Sequence, residues 1–430
     1  MSGPPIWRVG VAGLGTVGSE LVNLLEQRPD FAPIDSYVRV AAVSARSRLR
    51  PRSCDISDMI WFDDPVAMAA SSDIDMFVEL IGGSDGPAKA AVEAALKSGK
   101  PVVTANKALI AVHGAELAIL AEKYGVPLLF EAAVMGGVPA VKVVRESLVG
   151  DDIQSIVGIL NGTCNYILTE METTGRSFAD VLAEAQRLGY AEADPTTDVG
   201  GFDAAHKISI LAALAFNCTP NFAATEVEGI EQVELLDIQM AKDLGYRIKL
   251  IASAERAGDS ALVRVHPSLT PLGHPLAQAG GALNALFIES ARIGRIFLQG
   301  PGAGAGPTAV AVASDIADVF TSPYRPVFQG PADTLPPIAA VDRSRLNCRA
   351  YLRFLVKDEP GVIAAVSETL AEAGVSIESF LQKPVAGAAG VPIVLTTHLV
   401  AESVLTAAVE RIADLPAVLD RPRMFRIARI

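Results

Sequence analysis

The chain has 430 residues, 50% hydrophobic and 20% charged, with 36 Lys and Arg against 49 Asp and Glu for a net charge of −13. That length exceeds one ordinary core and implies roughly two or three globular domains, while the acidic balance argues against nucleic-acid partners, whose phosphates need basic patches. Apolar runs such as Ile208 to Phe216 fall far short of the ~20 residues that span a bilayer, so no membrane partner is expected. The cysteines at 54, 164, 218 and 348 show no close pairing of a disulfide or zinc kind, and Met1 to Trp7, with two prolines and no basic cluster, is not an export signal. A cytoplasmic location is expected.

In chain order, a strand at Arg8 to Ala12 is followed by a helix at Ser19 to Gln27, then by strands at Val38 to Ser44 and Met76 to Leu80. A helix at Ala88 to Ser98 and strands at Val102 to Thr104 and Leu128 to Glu131 complete the pattern. This alternation predicts an α/β domain over 1–138, a doubly wound parallel sheet with helices on both faces. From 139 to 320 the pattern changes to an α+β domain, with helices at Phe178 to Leu188 and Asp203 to Phe216 and strands at Ile153 to Leu160, Ile248 to Glu255 and Leu262 to Pro267. A glycine-rich stretch, Gly300 to Gly306, leads into a helix from Thr308 to Phe320. Residues 321–348 are proline-rich without periodicity and read as a linker. Residues 349–430 regain order as strand, Asp-Glu-Pro-Gly turn, helix and strand, a small further module.

Gly13-Leu-Gly15-Thr16-Val17-Gly18 follows the apolar run Val9 to Ala12 and opens a helix. In that context the three glycines serve a tight turn, close approach of backbone to a pyrophosphate, and helix-strand packing, so a dinucleotide is the expected ligand. The second strand ends in Ser44-Ala45-Arg46, without the carboxylate that would bond a free ribose 2′-hydroxyl. An arginine there pairs with a 2′-phosphate, which favours NADP while leaving NAD possible; a merely solvated loop across Arg46, Arg48, Arg50 and Arg52 is the alternative. Thr104 and Lys107 follow the strand at Val102, at the sheet edge where such folds bind ligands, and suit contact with cofactor or substrate.

Between 189 and 207 the chain packs Glu192, Asp194, Asp198, Asp203 and Lys207 beside an apolar helix. Asp203 and Lys207 are four apart and share a helical face at the mouth of a core helix. Acids of this density suit a substrate's ammonium and hydroxyl groups, and a lysine can move a proton at the oxygen during hydride transfer. The plain alternative makes Asp203 a helix cap with Lys207 as its surface mate. Cys164 raises a rival nucleophilic chemistry, but none of the five histidines is close to it in sequence, and a small packing residue is the better reading.

Taken together these blocks resemble the homoserine dehydrogenase family over about 1–320: GLGTVG at 13–18, VVTANK at 102–107, EAAVMGGVP at 131–139, NGTCNYIL at 161–168, GYAEADP at 189–195, the Asp198 to Lys207 block and GPGAGAGPTA at 300–309. The resemblance implies a Rossmann-type domain, a catalytic and dimerisation domain whose last helix packs back on it, and NAD(P)-dependent interconversion of L-homoserine and L-aspartate 4-semialdehyde in threonine, methionine and isoleucine biosynthesis. It implies Lys207 as proton donor and acceptor with Lys107 able to share that work, Glu192, Asp203 and Asp198 around the substrate, and Thr16, Val17, Gly189 and Gly304 along the cofactor. It further implies that Glu131, with the backbone oxygens of Val134, Gly136 and Val138, binds a monovalent cation such as sodium. One carboxylate with carbonyls at a turn suits such an ion, although Glu131 equally suits a helix cap. Residues 349–430 resemble an ACT domain of ferredoxin-like fold, whose glycine turn at Asp358 to Gly361 offers free amides to an amino-acid carboxylate. That implies feedback by L-threonine and a homodimer or homotetramer, against the alternative of a sheet used only for dimerisation. A dehydrogenase of another amino or hydroxy acid on this scaffold, and a catalytically silent sensor, are the competing functions; the intact Glu192, Asp203 and Lys207 set disfavours the latter.

Overall fold

The computed structural model describes residues 6–28, 37–258, 260–322, 324–340, 346–383 and 390–430. β1 (Ile6–Ala12), α1 (Thr16–Gln27), β2 (Tyr37–Ser44), β3 (Ile60–Phe62), α2 (Pro65–Ala70), β4 (Met76–Glu79), α3 (Pro87–Lys97), β5 (Val102–Thr104), α4 (Lys107–Tyr124) and β6 (Leu128–Leu129) form the first unit. Its six strands are all parallel, in the order β3-β2-β1-β4-β5-β6. Helices cover both faces, so the strands are rich in apolar residues, and Val9, Val11, Val43, Phe77, Val78 and Val103 are buried. The order reverses between β1 and β4, which opens a crevice at their carboxyl ends.

The chain continues through α5 (Ala140–Lys142), β7 (Ile153–Ile159), α6 (Gly162–Thr174), α7 (Phe178–Leu188), α8 (Thr196–Val199), α9 (Phe202–Phe216), β8 (Glu226–Val227) and α10 (Leu235–Asp243). The hairpin of β9 (Tyr246–Ala257) and β10 (Ser260–Pro271) follows, then α11 (Pro275–Gln278), the hairpin of β11 (Leu283–Ser290) and β12 (Gly294–Pro301), and α12 (Ala305–Thr321). The apolar helix α9 is buried almost along its length against β9 and β10, which fixes the residues of its first turn. α12 returns to pack on α1, with the Phe320 ring 4.7 Å from that of Trp7.

The last unit comprises β13 (Asn347–Val356), α13 (Val362–Glu372), β14 (Ile377–Gln382), β15 (Val391–Thr397), β16 (Val400–Ala401), α14 (Glu402–Ala413) and β17 (Arg423–Ile427). It is not a free-standing module. β17 pairs antiparallel with β13 and parallel with β10, through Ser268 with Arg426 and Leu269 with Ile427, so both units share one sheet. A strand in that place satisfies two edges that would otherwise be left open. Buried charges reinforce the seam: Arg353 meets Asp237 at 2.6 Å, Tyr351 donates to Asp237 at 3.0 Å, and Arg264 meets Glu226 at 3.0 Å and Glu402 at 2.9 Å.

The proline-rich stretch is a strap laid on the core rather than a loose connector. Phe328 is buried with its ring 6.1 Å from that of Phe130, Thr219 donates its amide to the Pro336 carbonyl at 2.9 Å, and Ile338 donates to that of Thr219 at 3.3 Å. Residues 323 and 341–345 of this stretch lie outside the described residues. Among the described residues, no helix is long and apolar enough to cross a membrane.

Candidate active site

β1 turns into α1 through Gly13, at φ 99°. A Cβ there would stand 2.3 Å from the Leu80 carbonyl oxygen, and one on Gly18 would stand 1.9 Å from that of Gly13, so only glycine fits either place. Gly15 faces open space, which is the room a pyrophosphate needs above the first turn of α1, where Thr16 is exposed and Val17 half-buried. Gly13, Gly15, Ser44, Arg46 and Arg50 line one cavity of about 560 Å³.

Thr104 ends β5 at the edge its position predicts, with its hydroxyl turned to the protein. Its buried hydroxyl donates to Glu79 at 2.5 Å and accepts from the Asn106 amide at 2.9 Å, while Glu79 also accepts from the amides of Ile81 at 2.7 Å and Gly82 at 2.9 Å. Thr104 thus braces the Leu80–Ile81 wall of the cavity through Glu79. Asn106 in turn caps α4, accepting from the Leu109 amide at 3.0 Å, and sets Lys107 as the first residue of that helix.

Lys107 and Lys207 close on Asp203 from two domains. Lys107 Nζ lies 2.6 Å from Oδ1, and Lys207 Nζ lies 2.8 Å from Oδ2 while also donating to the Leu160 carbonyl at 2.7 Å. Asn161 donates from one amide nitrogen to Asp203 and to Asp198, at 2.8 Å each, and its oxygen accepts from the Cys164 amide at the start of α6. The side chain of Lys107 is 39% exposed against 9% for Lys207, so Lys107 stands at the open side. Glu192 is exposed at the rim, within electrostatic reach of Lys107. Gly189, at φ 79°, ends α7 just before it, and Gly304, at φ 124°, begins α12.

The two lysines are driven apart electrostatically. The negative charge of Asp203 outweighs burial and raises Lys107, whereas burial dominates at Lys207 and lowers it, with Asp203 offsetting only part. Burial alone would raise Asp203, but the lysines hold it far below the usual carboxylate range. Asp198 is raised by burial and by the charge of Asp203. Titratable neighbours pushed in opposite directions can divide acid-base work: a lysine that sheds its proton readily beside one that keeps its charge. Burial pushes the Cys164 thiol well up, aided by the carboxylates of Asp198 and Asp203, and its Sγ donates to the Asp198 carbonyl at 3.1 Å, which leaves no thiolate to attack a substrate.

Glu131 lies in a buried turn between β6 and α5. Its carboxylate accepts from the amides of Val141 at 3.1 Å and Lys142 at 2.7 Å, the cap arrangement, and its own amide donates to Asp315 at 2.8 Å. Burial and the charge of Asp315 push the Glu131 carboxyl up to about 7, with the two amides and the charge of Lys142 offsetting part of the rise. Met135 and Gly136, at φ 57° and 51°, bend the following backbone. Among the described residues no cluster of three or more His, Cys, Asp or Glu side chains is placed to hold a metal, so any ion here rests on carbonyls, of which that of Val138 already accepts from the Ala140 amide at 2.7 Å.

Asn161 and Glu79 are the two site residues that sequence reading passes over. Asn161 carries a local signal as the cap of α6, in a block first weighed for its cysteine; Glu79 carries none beyond its place at a strand end.

The chain as a whole is similar to known proteins. The homoserine dehydrogenase family model matches residues 139–317, that for the homoserine dehydrogenase NAD-binding domain matches 13–131, and the ACT domain model matches 350–417. The chain is 41% identical over 431 aligned residues to a homoserine dehydrogenase of Neisseria gonorrhoeae, covering 97% of this chain and 98% of the relative. The crystal structure of a homoserine dehydrogenase from Thiobacillus denitrificans superposes with a TM-score of 0.90 at 38% identity, covering 98% of each chain. A hyperthermophilic archaeal homoserine dehydrogenase in complex with NADPH superposes with a TM-score of 0.65 at 26% identity, over 75% of this chain and 99% of the other.

Proposed function

This chain belongs to the homoserine dehydrogenase family of NAD(P)-dependent oxidoreductases acting on a CH–OH group, and on that premise we propose that it interconverts L-homoserine and L-aspartate 4-semialdehyde with NADP(H) preferred over NAD(H), under feedback from L-threonine. The observation that carries the site assignment is Asp203 gripped between Lys107 and Lys207.

The nicotinamide, when bound, supplies or accepts the hydride. The chain's own residues do the rest. The glycine turn at 13–18 and the first turn of α1, with Thr16 and Val17, would hold the pyrophosphate, Gly189 and Gly304 would lie along the dinucleotide, and Arg46, on the cavity wall, would pair with a ribose 2′-phosphate. Glu192, Asp198 and Asp203 supply the negative charge that orients the substrate ammonium and hydroxyl. Lys207, its proton loosened by burial, takes the hydroxyl proton in oxidation and returns it in reduction; Lys107, held charged by Asp203, stabilises the oxygen as negative charge develops there. Glu131 and the carbonyls of Val134, Gly136 and Val138 would hold a monovalent cation such as sodium, which would offset the buried charge of Glu131 and Asp315 and stiffen the turn between the domains.

These roles fall on 1–138, 139–320 and 349–430, with 321–348 as the strap. The last unit ends in the open edge strand β14, where sheets of two copies can join, and this supports a homodimer or homotetramer with a threonine site in the ACT unit. A cytoplasmic location agrees with free cysteines at all four positions. Homoserine-dependent cofactor reduction, run with NADP and NAD side by side while threonine is titrated, tests the reading. A faster rate with NADP that threonine suppresses is expected. No rate with either cofactor refutes the substrate, equal rates refute the cofactor preference, and indifference to threonine refutes the feedback.

A further inference from the structure

The loop after β2 carries four arginines, and they are not equivalent. Arg46, Arg48 and Arg50 are exposed; Arg52 is half-buried and turned back into the loop. Its guanidinium donates to the carbonyls of Arg48 at 3.0 Å and Arg50 at 2.9 Å, and to that of Ser47. The same group lies over the Trp61 ring, 5.3 Å from its centroid, and Trp61 is fixed in turn by its indole nitrogen donating to Asp63 at 2.7 Å. Three carbonyls facing inward need a cation or water between them, and three outward arginines repel one another. A planar fork of five donors meets the first need while stacking on an aromatic face, which a lysine's single nitrogen cannot do.

The consequence lies next door. Arg46, Arg50 and Arg52 all line the cavity above the glycine turn, and Arg46 and Arg50 belong to the segment whose carbonyls Arg52 gathers. We propose that Arg52 is a positioning residue for dinucleotide selection: by binding the Ser47, Arg48 and Arg50 carbonyls against Trp61, it holds the loop in the shape that presents Arg46 and Arg50 to the ribose 2′-phosphate. Although Arg52 borders the cavity, both of its terminal nitrogens are engaged by loop carbonyls, and on this proposal its effect on cofactor choice is indirect. The inference rests on the NADP reading above. It adds that selectivity depends on a residue that does not itself bond the phosphate, and that shape rather than charge is what Arg52 contributes.

The test compares wild type with Arg46→Ala, Arg52→Met and Arg52→Lys. Two readouts are used: binding of adenosine 2′,5′-bisphosphate and of adenosine 5′-monophosphate by calorimetry, and KM and kcat with NADP and NAD. One lost charge-assisted contact to the phosphate corresponds to about a tenfold or larger change in affinity. Arg52→Met is expected to weaken the bisphosphate and raise the KM for NADP by about that factor, while the monophosphate, the KM for NAD and kcat stay within about twofold. Arg52→Lys is expected to behave like Arg52→Met. A lysine variant that matches wild type overturns the inference, because charge alone would then suffice; so does an Arg52→Met variant that keeps its NADP preference or loses both cofactors equally. A wild-type enzyme that binds both nucleotides alike overturns the NADP reading and the inference with it, whereas sensitivity to Arg46→Ala without sensitivity to Arg52→Met overturns the inference alone.

Discussion

Replacing Asp203 by Asn keeps the shape of the side chain and removes the one charge shared by Lys107 and Lys207. With its oxygen in the Oδ2 place the amide still accepts from Lys207 and Asn161 and its NH2 faces Lys107; turned over, it accepts from Lys107 and its NH2 faces Lys207 and Asn161, so either way one of the contacts at 2.6 and 2.8 Å becomes a donor-donor conflict. Removing one partner from a buried ion pair costs about 3–5 kcal/mol. The lower end, applied to the step in which the lysines must hold the reacting oxygen, lowers kcat/KM by about a hundredfold or more. The sign of the pH effect follows from the same charge. Asp203 raises Lys107 and partly supports Lys207, so its loss lowers both. In homoserine oxidation the base must be neutral, and a lowered lysine reaches that form sooner; the rising limb of the rate therefore moves to lower pH. In the reverse direction the acid must be charged, and the falling limb moves to lower pH as well. Initial rates in both directions over about pH 6 to 10 measure this, with nucleotide binding to the free enzyme unchanged as the control. A kcat/KM within about threefold of wild type, or limbs that move to higher pH, would refute the assignment of the two lysines.

Most of the parallel sheet is legible in the sequence because its inner strands are short, largely buried runs and the glycines that follow β1 have a steric reason to be there, whereas the edge strand β3, exposed to half-buried, is not. The acidic block is legible because Asp203 and Lys207 share one helical turn. The third member of that cluster is not: Lys107 belongs to another domain, and nothing local at 107 distinguishes a lysine that meets Asp203 from one that points to water or cofactor. Thr104 shows the same limit from the opposite side. It lies at the ligand-binding edge, as its position predicts, yet its hydroxyl is taken by Glu79, a residue with no motif of its own. The joining of the ACT unit to the catalytic sheet is less visible still, since the pairing of β17 with β10 brings together segments far apart in the chain, and an edge partner leaves no periodic trace in either. Long-range pairing and buried ion pairs depend on what folds beside a segment, which is why Arg264, Glu402 and Arg426 read as ordinary surface charges until the seam is built.

Two predictions concern that seam. Burial opposes ionisation of Glu402, yet Arg426 and Arg264 hold its carboxyl down to about 2 from 4.5, a difference worth about 3 kcal/mol. Because the folded-state value is the lower one, this stability is fully present above about pH 4.5 and is lost as the pH falls toward 2, so Glu402→Gln should trail wild type in urea unfolding at neutral pH with a gap that narrows on acidification; a gap independent of pH refutes the pairing. Arg353→Met leaves Asp237 without its cation in a place where the carboxylate is fully buried, which costs about 3–5 kcal/mol in unfolding free energy, less whatever Asp237 regains by taking up a proton. Burial already raises the Asp237 carboxyl, so the single variant should regain part of its loss at acid pH, and Arg353→Met with Asp237→Asn should recover more than half of it at neutral pH. A double variant as unstable as the single one would mean that the cost lies in lost packing of the Arg353 stem between β13 and α10, and that the charge pair does not hold the ACT unit to the catalytic domain.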